Sequence, residues 1–100
     1  MYDIYFTKQA QKDAVQAEQA GFKPKISEII QTVRKNPYEE SQGFEYLKYD
    51  LKGACSRRIT KQHRFVYEIL PNTDGLIDRN GEIFDGLIKV ISMWTHYHKK

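Results

Sequence analysis

The chain has 100 residues, 16 Lys+Arg against 13 Asp+Glu and a net charge of +3, with 40% hydrophobic, 29% charged and 13% aromatic residues. That is one globular domain over residues 1–100 with room for a single core, which excludes a disordered chain and a multidomain enzyme. No apolar run approaches the ~20 residues of a membrane span, so no membrane partner is expected.

The start, MYDIYFTKQ, lacks a basic segment followed by a long apolar one, so no signal peptide is expected. Cys55 is the single cysteine, which excludes a disulfide framework within the chain and fits a reducing, cytoplasmic setting.

In chain order, Tyr2, Ile4 and Phe6 alternate with Asp3 and Tyr5, predicting a short first strand. Thr7 can cap a helix with Ala10, Ala14, Ala17 and Ala20 on one face, and Gly21 stops it. Pro24 suits the first turn of a second helix, in which Ile26, Ile29, Ile30 and Val33 form an apolar stripe. Asn36-Pro37 ends that helix, leaving an αα-hairpin and then a polar loop from Tyr38 to Gly43.

Beyond the loop the apolar period changes to two. Strands are predicted over Phe44–Leu47, Ala54–Thr60, Arg64–Leu70 and, as a nearly unbroken apolar run, Leu87–Trp94. Between the last two, Pro71–Gly86 is rich in Gly, Asn and Asp. It reads as a long connection, tolerated on the surface, with a small hairpin at Asn80-Gly81. The order β-α-α-β-β-β-β predicts an α+β fold in which two N-terminal helices pack on one face of a mostly antiparallel four- to five-stranded sheet. The other face is then free to bind.

Charge is unevenly placed. Lys48, Lys52, Arg57, Arg58, Lys61 and Arg64 crowd one segment that begins at an acid, Glu45. Such a cluster suggests a ligand bearing phosphate, and RNA is the natural test case. RNA carries its own nucleophile, the 2′-OH, so a protein need only remove that proton, neutralise charge on the phosphorane and protonate the departing 5′-oxygen. A carboxylate, one or two arginines and a His or Tyr suffice, without metal or cofactor; Glu45, Arg58, Arg64, His96 and Tyr97 supply each type.

Register decides whether the arginines cooperate. An odd loop such as Lys61-Gln62-His63 puts Arg58 and Arg64 on one face, an even loop separates them, and the sequence leaves both open. Arg57 and Arg58 point to opposite faces, so one of them at most belongs to the site. His63 reads as a turn or packing residue. His63, His96 and His98 lack the spacing of a metal site.

Glu45-x-Leu47-Lys48, Leu51-x-Gly53-x-x-Ser56-Arg57-Arg58-Ile59-Thr60, His63-Arg64-x-Val66-Tyr67 and the terminal Thr95-His96-Tyr97 together resemble the YoeB/Txe-type toxins of the RelE/ParE toxin–antitoxin superfamily. The resemblance implies a ribosome-dependent mRNA endoribonuclease, cutting mRNA in the ribosomal A site and inhibited by an antitoxin of the YefM/Phd type. It gives Glu45 the role of general base, Arg64 that of transition-state stabiliser and His96, with Tyr97, that of the terminal catalytic pair, His96 being the general acid. Lys48 and Arg58 take the places of residues that hold RNA phosphate.

The chain departs from the family pattern in Cys55, where an aromatic is usual, in the length of Pro71–Gly86, and in the His98-Lys99-Lys100 tail. Two alternatives stand beside the ribonuclease: a non-enzymatic ParE-like toxin that poisons DNA gyrase, and a small basic RNA-binding module. Monomer and homodimer are both compatible with the sequence.

Overall fold

A computed structural model of the chain describes residues 1–48 and 53–94. Strand β1 (Tyr2–Phe6) leads into helix α1 (Lys8–Gln19) and helix α2 (Lys23–Lys35). Four strands follow: β2 (Glu45–Tyr46), β3 (Ala54–Arg58), β4 (Arg64–Leu70) and β5 (Gly86–Ser92). They form one five-stranded sheet in the order β1-β5-β4-β3-β2. β1 runs parallel to β5 and every other pair is antiparallel, so the predicted architecture is the observed one. No described helix is long and apolar enough to cross a membrane.

The helix boundaries follow the local chemistry of the sequence. The Thr7 hydroxyl accepts from the Ala10 amide and donates to the Ile91 carbonyl, so one side chain caps α1 and ties it to β5. Gly21, at φ +86°, takes the left-handed conformation that ends α1, and Pro24 sits in the first turn of α2. Ile26, Ile29 and Val33 are buried from α2, while α1 buries Ala10, Asp13 and Ala17. The small alanine face thus contains a buried acid that its periodicity did not single out.

Asp13 accepts from Gln9 Nε2 at 2.8 Å and from the Met93 amide at 2.9 Å, closing the far end of β5 against α1. Asp13→Ala strips the buried Met93 amide of its acceptor. It should lower stability by about 1–3 kcal/mol, measurable as a reduced urea midpoint at unchanged slope.

The core lies between the helices and the sheet face bearing Cys55, Phe65, Tyr67, Ile88 and Val90. The opposite face carries a small apolar cluster of Leu47, Ala54 and Val66, with Ile91 against it, surrounded by polar side chains. β5 is therefore covered by helices on one face and only half-buried on the other, less enclosed than its apolar run suggests.

Three strands are shorter than predicted. β2 begins after Gly43, whose positive φ of 70° keeps the preceding turn out of the ladder, although the Leu47 amide still bonds the Ala54 carbonyl. β3 stops at Arg58 because the Thr60 hydroxyl turns back to accept from the Gln62 and His63 amides. β5 ends at Ser92, so Met93 and Trp94 fall outside it.

The 71–85 connection holds the expected small hairpin, bridged by Ile77 and Ile83 and closed between Asp78 and Glu82. The Asn72 side chain braces it, donating to the Leu76 and Phe84 carbonyls and accepting from the Leu76 amide. It joins the Leu70 end of β4 to the Gly86 end of β5, which is the end of the sheet remote from Arg64.

Candidate active site

The β3–β4 register settles the odd-or-even question. Arg58 lies directly opposite Arg64 across a five-residue link, residues 59–63, so both belong to one face. Glu45 pairs with Ser56 and Ser56 with Val66, which puts Glu45, Ser56, Arg58 and Arg64 together on the face away from the helices.

Arg64 is the fixed point of this group. Its Nε donates to Ser56 Oγ at 2.8 Å and its Nη2 to the Gly43 carbonyl at 2.5 Å, and Nη2 also lies 4.0 Å from Glu45 Oε1. Its side chain is only 12% exposed, whereas that of Glu45 is 57% exposed. Burial lowers the Arg64 guanidinium below its ordinary pKa; Glu45 opposes that shift and Arg58 adds to it. A guanidinium titrates so far above neutrality that it stays charged. The cation is held half-desolvated against neutral acceptors, and the acid beside it keeps access to solvent.

Gly43 is part of this arrangement through its backbone. A Cβ there would meet Arg58 Cβ at 3.0 Å, in addition to the unfavourable positive φ. Glycine therefore lets the loop lie on Arg58 and aim its carbonyl at Arg64.

Arg57 has the opposite fate. It is 0% exposed and its guanidinium donates to the carbonyls of Pro37, Glu39 and Ser41 at 3.1, 2.8 and 2.9 Å, and to Tyr67 Oη at 3.0 Å. The Tyr67 hydroxyl in turn donates to the Pro37 carbonyl at 2.7 Å, and the guanidinium carbon lies 4.9 Å from the centre of the Phe44 ring. Arg57 thereby holds the loop between α2 and β2, which delivers Gly43 and Glu45 to the site. The alternation of strand side chains correctly separated Arg57 from Arg58, but no sequence signal marked Arg57 as the centre of a buried network.

Lys48 is exposed just past β2, on the chain segment that also carries Glu45. His63 is a packing residue, as expected: its ring stacks on Trp94 with centroids 4.3 Å apart and lies 5.6 Å from Phe22. Cys55 is buried, and burial pushes its thiol pKa up, away from reactivity. His96 and Tyr97 lie outside the described residues, so the structure brings together Glu45, Arg58 and Arg64 of the predicted constellation.

The sequence pattern of the YoeB-like toxins of bacterial type II toxin–antitoxin systems matches residues 6–97. The chain belongs to this family. Within it, the toxin YoeB of Escherichia coli K12 is 47% identical over 45 residues, which are 45% of this chain and 54% of that protein. The chain thus spans about half the length of the curated YoeB relatives it matches.

Solved structures extend the likeness over nearly the whole chain. A YoeB/ParE toxin from Agrobacterium tumefaciens superposes with a TM-score of 0.76 at 27% identity, covering 95% of this chain and 99% of that one. The YoeB dimer from Staphylococcus aureus gives 0.71 at 31% identity, covering 96% and 98%. A heterotetrameric YoeB–YefM complex from the same species gives 0.68 at 31% identity, covering 97% and 99%. The fold, the order of elements along the chain and the toxin family agree with the expectation from sequence.

Proposed function

We propose that this YoeB-like chain is a ribosome-dependent mRNA endoribonuclease, acting in the A site by attack of the 2′-OH on the adjacent phosphate. The observation that carries the reading is the placement of Glu45, 4.0 Å from an anchored Arg64 and on the same face as Arg58.

Glu45 takes the proton from the 2′-OH. Arg64, already oriented by Ser56 and Gly43, meets the charge that builds on the phosphorane without reorganising. Arg58 and Lys48 hold the flanking phosphates. His96, with Tyr97, protonates the departing 5′-oxygen. The step needs no metal, because fixed cations supply the charge.

The partners follow from the same reading: mRNA, the ribosome at its decoding A site, and a YefM/Phd-type antitoxin. The setting is the cytoplasm, and a homodimer is compatible with the reading, the similar Staphylococcus aureus YoeB being a dimer in its solved structure.

The test is induced expression in a bacterium with mapping of mRNA 5′ ends. New ends within translated codons, absent from Glu45→Ala and Arg64→Ala variants that remain folded, are expected. Growth arrest with DNA breaks and intact mRNA would replace the reading with gyrase poisoning. RNA binding with no cut would leave a simple RNA-binding module.

A further inference from the structure

An open concavity of about 430 Å³ lies at the β2 edge of the sheet, lined by Glu40, Ser41, Gly43, Phe44, Glu45 and Tyr46. It shares Gly43 and Glu45 with the candidate active site, so the two adjoin at the sheet edge. β2 is the outermost strand on this side. Glu45 and Tyr46, as consecutive strand residues, project to opposite sides of it.

Tyr46 is 63% exposed, an unusual position for a large aromatic that has not been left loose. Its ring meets Phe44 edge-on at 5.0 Å, and Phe44 is itself fixed against the buried Arg57 guanidinium at 4.9 Å. The exposed ring is therefore a braced platform.

The charge of the concavity limits what it takes. Among the described residues its lining carries two carboxylates, Glu40 and Glu45, and no Lys or Arg, which disfavours phosphate there. Phosphate is drawn instead to Arg58 and Arg64 on the neighbouring face. What remains to fill the concavity is a flat group with hydrogen-bond donors on its edge.

We propose that this concavity is a base-binding subsite, in which an unstacked RNA base beside the cut lies on the Tyr46 ring. This rests on the RNA-cleaving reading above. The base stacks on Tyr46, as single-stranded bases do on exposed aromatics, while the Glu40 carboxylate accepts from its donor edge. Bases with an exocyclic amino group are preferred to uracil, because they offer that carboxylate a stronger set of donors.

The experiment measures binding of the full chain to short 2′-O-methyl oligomers, which cannot be cut because the nucleophile is blocked. Tyr46→Ala should weaken binding of an oligo-A by about 5- to 100-fold, and Tyr46→Phe by no more than about twofold, as expected for a stacked base. The Tyr46→Ala effect should disappear on an oligomer with abasic sugars. Equal affinity in wild type and Tyr46→Ala overturns the proposal, as does a loss of equal size on the abasic oligomer. Failure of the wild type to bind oligo-A overturns it too. Cleavage on programmed ribosomes, run in parallel, separates the two readings: a chain that binds as described but never cuts sinks the ribonuclease and keeps the subsite.

Discussion

Arg64→Lys should lower single-turnover mRNA cleavage by about 10²- to 10³-fold while leaving the fold intact, a loss typical of removing one oriented charge donor from a transition state. The conservative replacement is the informative one. Arg64 uses Nε on Ser56 and Nη2 on Gly43, and these two bonds fix the plane of the guanidinium. Nη1 makes no hydrogen bond to the described residues, which leaves it for phosphate. A lysine keeps the charge but has one nitrogen for all three tasks and no plane to hold. The loss should fall on the rate constant for cleavage, with ribosome and RNA affinity changed far less. Circular dichroism and thermal unfolding of the variant check that the fold is retained. Cleavage by Arg64→Lys at the wild-type rate would show that Arg64 contributes charge alone.

Arg57→Met should be the most destabilising single change at the site, costing about 3–5 kcal/mol in chemical denaturation. Methionine preserves much of the volume but withdraws donors from three backbone carbonyls and the Tyr67 hydroxyl at once. The loop that carries Gly43 and leads into Glu45 then loses its anchor, so activity should fall even at temperatures where the sheet persists.

Tyr67 gives this cluster a pH signature. Burial raises the Tyr67 pKa above its ordinary value, and the attraction of Arg57 for the phenolate only partly offsets that. The folded state therefore keeps the phenol proton where the unfolded chain, titrating near ~10, gives it up. Stability is fully present below about pH 10 and falls as pH rises towards the folded value. Tyr67→Phe should remove this alkaline loss, seen as a flatter plot of denaturation midpoint against pH.

The fold was legible because local signals agreed with one another. Thr7, Gly21, Pro24 and Asn36 punctuate the helices where the structure ends them, and the change of apolar period at the Tyr38–Gly43 loop marks the start of the sheet strands. The site was legible in part. Glu45, Arg58 and Arg64 were named from charge, spacing and family resemblance, and the register of β3 on β4 puts them on one face.

What stayed hidden depended on tertiary contacts. Arg57 and Arg58 are neighbours of one chemical type, yet one is the exposed partner of the site and the other its buried brace. Nothing in the sequence distinguishes carbonyls from phosphate as their partners. Asp13 was likewise invisible, because its acceptor role is created only when the end of β5 arrives beside α1. Ser56 and the Gly43 carbonyl orient Arg64 through a strand pairing and a loop conformation that no periodicity encodes.

The connection between β4 and β5 also has a practical side. Leu70, its attachment point, lies at the opposite end of the seven-residue β4 from Arg64, roughly 20 Å away at the usual rise of a strand. Its hairpin is self-braced by Asn72, and Ile77 and Ile83 stand exposed at its bridge. The molecule thus has a working end and a handling end. A fluorophore, an affinity tag or a surface tether grafted between Asp78 and Glu82 would report on the chain, or immobilise it, with the rim that carries Glu45 and Arg64 left open.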